Sequence, residues 1–189
     1  MYSGEHAERR GGGFLRSLLS IIGAVALVLV LSWGLRTFVV EAYEIPSGSM
    51  EETIMTGDRL FYEKVTYYFE EPQRGDIVAF ADPEIPSRIL TKRVIATGGE
   101  TVDLIDGQVY VNNVPLNEPY ADGEPSEPLT PAYGTEITYP YTVPEGELWV
   151  MGDNRTNSQD SRYFGAIDVS SVTGKALLTY WPLDHFGLV

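Results

Sequence analysis

Nineteen consecutive residues, from Ser17 to Leu35, carry no charge and are dominated by Leu, Val, Ile and Ala. Wound as an α-helix at about 1.5 Å per residue, they reach about 28 Å, close to the thickness of a bilayer's hydrocarbon core. No other feature constrains the chain as much. In lipid so apolar a segment satisfies its backbone as a helix, and the residues after it form a tethered domain. Arg9, Arg10 and Arg16 precede the run and only Arg36 follows it closely. Positive charge is retained on the cytoplasmic side, so the expected layout is a cytoplasmic tail at 1–16, an anchor at 17–35 and an extracytoplasmic domain at 36–189. A cleavable leader is the competing reading, because Val40 and Ala42 loosely meet the small-residue rule at a cleavage site. The run is longer than an ordinary leader core, however, and those two residues lie well past its end. Trp33 and Phe38 suit an interfacial belt at the outer boundary.

Of the 189 residues, those after the anchor leave room for one domain. Residues 1–36 set four arginines against Glu5 and Glu8, a balance of +2, so the remainder of a chain with net charge −14 carries −16. A body this acidic argues against nucleic acid, whose phosphates require Lys and Arg, and suits a domain held off an anionic membrane surface. Short apolar runs separated by Gly-Asp, Pro and Asn turns predict an all-β body. Expected strands cover Arg59 to Tyr62, Asp76 to Ala81, Ile89 to Ala96, Gln108 to Val111, Leu148 to Met151 and Lys175 to Trp181. From about residue 113 to 147 the texture changes to prolines, acids and tyrosines, which predicts an irregular cap or insertion, expected to be functionally quiet. Trp181 and Phe186 are candidates for contact with the bilayer, with core packing as the alternative.

Cysteine is absent, which removes disulfides, thiolate metal sites and thiol nucleophiles. The two histidines, His6 and His185, fall near opposite ends of the chain. Neither a catalytic histidine nor a histidine-rich metal site is expected. Three segments remain that carry chemistry. In Ile45-Pro46-Ser47-Gly48-Ser49-Met50, a proline and a glycine shape the backbone around two hydroxyls; alone, it also describes a linker. In Leu90-Thr91-Lys92-Arg93-Val94-Ile95 a lysine sits within a strand pattern. Desolvation there would lower its pKa from about 10.4, at which only about one amine in two thousand is neutral at pH 7; alone, it also describes a lysine snorkelling to water. The run Gly152 to Arg162 holds Asp153, Ser158, Asp160 and Arg162, in which Asp160 with Arg162, and either with Asp153, can form a charge-assisted network; alone, it is also a solvated turn. A serine nucleophile needs a base within reach. With histidine out of place, a lysine must serve, and Lys92 has the most apolar setting of Lys64, Lys92 and Lys175.

In this order the segments PSGSM, GDRLFYEK from Gly57, RGDIVAF from Arg74, LTKRVIATGGETV and GDNRTNSQDSRYFG resemble the bacterial type I signal peptidases, in their single-span, Gram-positive-like form. The resemblance covers nearly the whole chain. It implies a mostly β catalytic core with a small variable cap, and a membrane-bound serine endopeptidase that cuts signal peptides from exported preproteins. Ser49 would attack the scissile carbonyl and Lys92 would take its proton. Ser158 would orient the lysine amine, as an aspartate orients histidine in a triad. The Ser47 hydroxyl and the Ser49 N–H would form the oxyanion hole. Arg93, Asp153, Asp160 and Arg162 would be structural supports. The substrate would lie extended beside Tyr43-Glu44-Ile45-Pro46, with Met50, Ile54, Leu90 and Thr91 lining small apolar pockets. No metal, no cofactor and no nucleic acid are implied; the partners would be signal peptides and membrane lipid, and the location the plasma membrane. One departure is Glu52-Thr53-Ile54, where many relatives have Pro-Thr-Leu, which bears on loop rigidity and pocket shape. Relatives with histidine in place of lysine are excluded by Lys92. Self-cleaving repressors share the Ser/Lys pair but carry a DNA-binding module where this chain has its apolar run. The alternative from another class is an anchored extracellular β-domain that binds a partner and catalyses nothing.

Overall fold

The computed structural model describes residues 11–189. Arg9, Arg10 and the rest of the expected tail up to residue 10 lie outside the described residues. Two compact units divide the chain, one ending at Val39 and the other covering Val40–Val189. In the first, α1 (Gly11–Phe38) extends past the uncharged run at both ends, because Arg16 and Arg36 are themselves good helix formers. Its stretch Arg16–Phe38 has a mean hydropathy of 2.5 and is exposed along its length. An apolar face on every side without a protein partner is the pattern of a helix solvated by lipid.

The second unit is built from β1 (Val40–Glu44), β2 (Arg59–Glu63), β3 (Ile77–Ala81), β4 (Ile89–Thr97), β5 (Thr101–Ile105), β6 (Gln108–Val111), β7 (Val114–Pro115), β8 (Tyr141–Thr142), β9 (Glu147–Met151), the single turn α2 (Ser161–Phe164), β10 (Ile167–Asp168), β11 (Val172–Trp181) and β12 (Gly187–Leu188). All six expected strands form. The larger sheet runs β1-β2-β11-β3-β4-β9-β10, with β12 added on β11, and the smaller runs β7-β6-β5-β8. Every pairing is antiparallel, and β2 and β3, consecutive in sequence, are separated in the sheet by the late strand β11.

Strands β1 and β5 were not anticipated. Val102 and Leu104 alternate inward along β5, and Asp106 and Gly107, both at positive φ, close the tight hairpin to β6. The smaller sheet therefore begins at Thr101, upstream of the irregular cap expected from about 113. Its residues Val102, Val109 and Val111, with Val143 just after β8, share one buried cluster with Ile95, Trp149 and Met151 of the larger sheet. A second cluster gathers Ile45, Met50, Ile54, Leu60 and Tyr62, and a third Val78, Phe80, Val94 and Val150. Trp181 and Phe186 stay out of all three, at 50% and 61% exposed.

Candidate active site

Strand β4 presents Lys92 directly across from Val78 of β3, on the apolar face that carries Leu90 and Val94. Strand pleating accounts for this: residues two apart share a face, so an aliphatic neighbourhood at 90, 92 and 94 encloses the lysine stem. Lys92 is 2% exposed. Its amine lies 2.5 Å from Ser49 Oγ. Burial pushes its pKa down to about 8, the largest of the influences on it. Asp160 raises it, Arg162 lowers it, and Asp153 and Arg88 again oppose each other. The nearby charges come in pairs of opposite sign and largely cancel, so desolvation decides the shift. The amine donates to the hydroxyl oxygen here, and on losing its proton it would be placed to accept one from the same hydroxyl, as a general base requires.

Ser49 stands at the head of a tight turn. The Met50 carbonyl accepts N–H bonds from Thr53 (3.1 Å) and Ile54 (2.8 Å). The Ser49 carbonyl accepts from Asn154 N–H at 3.3 Å. Among the described residues nothing accepts from the Ser49 N–H, and Ser47 Oγ lies 3.5 Å from Ser49 Oγ. Both expected oxyanion donors are therefore close to the nucleophile and open. Ser158 is buried beside the pair and lines one cavity with both residues; its hydroxyl faces the Asp160 carboxylate and makes no hydrogen bond to Lys92. Among the described residues, the one hydrogen bond that the amine makes is to Ser49 Oγ.

Asp153 joins the two halves of the pair. Its carboxylate accepts from Arg93 Nε (2.8 Å) and Nη2 (2.6 Å), next to Lys92 in β4, and from Thr53 Oγ1 (2.6 Å) in the Ser49 turn. Asp160 is fully buried and accepts from Arg162 Nε and Nη2, both at 2.9 Å, and from the Gly152 N–H at 3.1 Å. Burial opposes its ionisation, but the Arg162 guanidinium outweighs this and holds its carboxyl below the usual range. Gly152 has no room for a side chain, since a Cβ there would collide with Ser158 Oγ and the Ser49 carbonyl.

Two cavities meet at the pair. One, of about 430 Å³, is lined by Tyr43, Ile45, Pro46, Met50, Leu90 and Thr91, six of the seven residues expected to hold substrate. Ile54 is not among its walls. The turn at 50–54 directs it into the cluster beneath, against Ile45 and Leu60, so it supports the pocket floor without lining the pocket. The other cavity, of about 590 Å³, lies toward residues 156–159. Among the described residues no group of three or more His, Cys, Asp or Glu converges as a metal site would.

Several supports escaped the sequence reading. Arg155, 1% exposed, donates to Glu118 (2.5 and 3.0 Å), Ser126 (2.6 Å) and the Gly152 carbonyl (2.9 Å). The Tyr120 ring lies under Arg93, 4.0 Å from the guanidinium carbon to the ring centroid. The segment expected to be quiet thus reaches both supporting arginines. Only the prolines, acids and tyrosines of this segment were visible beforehand, and their presence does not say what it packs on. His185, which offered no catalytic placement, pairs with Asp58 at 2.7 Å and borders neither cavity.

Comparison with known proteins gives a match to the family model described as signal peptidase, peptidase S26, over residues 17–181, a span that takes in the apolar segment. A signal peptidase I of Leptolyngbya laminosa is 39% identical, with 90% of this chain and 83% of that protein covered. A probable signal peptidase I of Synechocystis is 42% identical over 86% of this chain and 81% of its own. The crystal structure of an Enterococcus faecalis signal peptidase I is 36% identical, covers 56% of this chain and 97% of its own, and gives a TM-score of 0.45.

Proposed function

The chain belongs to the S26 signal peptidase family, serine endopeptidases that cut signal peptides from exported preproteins, and we propose that Ser49 and Lys92 carry the reaction in it. The observation that carries this reading is the 2.5 Å contact between a buried, low-pKa amine and a serine hydroxyl. Lys92 removes the proton as Ser49 Oγ attacks the carbonyl that ends the signal peptide. The Ser49 N–H and the Ser47 hydroxyl receive the developing oxyanion, each typically worth about 3 kcal/mol. The protonated lysine then supplies a proton to the departing amine, and water, deprotonated by the same amine, releases the acyl group. Ser158 takes up a hydrogen bond to the amine once Ser49 Oγ has bonded to substrate and no longer engages it.

Substrate enters as an added strand. β1 is the edge of its sheet. Ile45 uses its N–H and C=O on Asp58 and Gly57, which leaves the backbone groups of Glu44 and Pro46 facing the open side. The aliphatic cavity at Ile45, Met50 and Leu90 takes the small side chains before the cut. Arg93, Asp153, Asp160 and Arg162 hold the strand and the loop in register.

The protein is membrane-associated. In the proposed topology the N-terminus is cytoplasmic, α1 spans the bilayer, and residues 36–189 are extracytoplasmic. The exposed Trp181 and Phe186 contact lipid, which quenchers carried on lipid chains would detect as loss of their region's fluorescence. The catalytic assignment is tested with detergent-solubilised protein and a preprotein bearing an Ala-X-Ala site. Ser49→Ala and Lys92→Ala should each abolish cleavage. Wild-type activity in either variant removes that residue from the mechanism.

A further inference from the structure

A peptide cut in its interior must leave the nucleophile in two directions. The cavity beside Tyr43–Pro46 accommodates one arm. The larger cavity shares Ser47, Ser49, Arg88, Leu90 and Lys92 with it and continues on the far side of the pair. Its walls are a different chemistry. Thr156, Asn157 and Gln159 supply hydroxyl and amide groups, Glu84 and Arg88 a charge of each sign, and Leu129 and Thr130 belong to the same lining.

Leu129 and Thr130 belong to the strap 118–132, which the sequence marks only as irregular. The strap is fastened to the catalytic loop along its length. Glu118 and Ser126 pair with Arg155, Glu124 accepts from Thr156 Oγ1 at 3.0 Å, the Glu127 carbonyl accepts from Arg162 Nη1, and the Ala132 N–H donates to the Tyr163 carbonyl at 2.8 Å. Two of these anchors, Arg155 and Arg162, are buried. The cavity is therefore walled before any substrate arrives, and organised walls reduce the ordering cost of binding an extended peptide.

We infer that this cavity receives the first residues after the scissile bond, and that the strap, through Leu129 and Thr130, selects among them. The occupant is the start of the mature chain, an extended polar peptide held by hydroxyl and amide groups, in contrast to the small apolar side chains taken on the other side. The inference rests on the Ser49/Lys92 reading, since the two arms are defined by where the bond is cut.

The test compares two substrates with a common acyl part. One is a peptide that continues past the cut; in the other, an ester of a small alcohol replaces everything past it. Thr130→Trp and Leu129→Trp narrow the cavity, and Thr130 is exposed, so its enlargement needs no room in the core. In both variants the ratio of kcat/KM for peptide to that for ester should fall by about tenfold or more. A ratio unchanged from wild type in both variants overturns the inference. The underlying mechanism fails separately, if Ser49→Ala turns over either substrate like wild type.

Discussion

At the scale of a single residue, Lys92 shows function taken at the expense of stability. Burial holds its pKa near 8 against a reference of 10.5. Between those values the unfolded chain binds the proton that the folded chain has released. Stability therefore rises with pH across that window, and the burial penalty stands in full below pH 8, at about 3 kcal/mol. Lys92→Met keeps the apolar stem and removes the amine. It should raise unfolding stability at pH 7 by up to about 3 kcal/mol and flatten the pH dependence between 8 and 10.5. Denaturant titrations of detergent-solubilised protein at several pH values measure both, and an equal or lower stability at pH 7 would contradict the penalty. Catalysis follows the same proton with the opposite emphasis. Only the neutral amine is a base, so kcat/KM should climb toward a plateau above about pH 8 and fall tenfold per unit well below it. A flat profile between pH 5 and 9 would exclude Lys92 as the base.

At the scale of elements, the site is a junction among a turn, a strand and a loop that are far apart in sequence. Asp153 ties Thr53 of the turn to Arg93 of β4. Gly152 lets the loop approach the Ser49 carbonyl closely. Gly152→Ala would push the loop off the turn, and with it the geometry that holds Oγ against the amine. A fall in kcat/KM of about a hundredfold is expected for a displacement of this kind, with a stability loss too small to account for it; unaltered kinetics would show that the contact does not position the dyad. The strap has a separate energetic role. Glu118 is the carboxylate partner of a fully buried Arg155, and removing one partner leaves a buried charge that Ser126 and a backbone carbonyl compensate only in part. Glu118→Ala should cost about 3 kcal/mol, read by denaturation, and a loss below about 0.5 kcal/mol would show the pair to be no better than a surface bridge.

At the scale of the whole molecule, the described residues comprise an apolar helix exposed along its length and a strongly acidic β unit, to which the proposal gives anchorage and chemistry respectively. In the proposed topology the domain projects from the outer face, in keeping with the arginines before the uncharged run outnumbering the one just after it and with repulsion of an acidic domain by anionic lipid headgroups. Protease added to sealed right-side-out vesicles should digest the β unit and spare an epitope at the N-terminus. Protection of the β unit instead would reverse the topology.

The amino-acid order determined the apolar helix, the β class and the family, and it singled out Ser49 and Lys92 as the proposed reacting pair. These depend on residue type and short-range pattern: an uncharged run long enough for a bilayer, apolar runs cut by Gly-Asp turns, a chain with no cysteine and no well-placed histidine, and motifs in a recognisable sequence. Six of the seven residues named for the substrate pocket line one cavity, whereas Ile54 does not, because its side of the turn depends on how residues 50–54 wind. Tertiary structure decided the rest. The 2.5 Å contact joins residues 43 apart, the Thr53–Asp153 bond joins residues 100 apart, and the Glu118–Arg155 pair joins residues 37 apart. A local pattern does not encode such distances. Nor does it encode the burial that lowers the lysine's pKa, because desolvation depends on every element packed around the amine and not on its neighbours along β4.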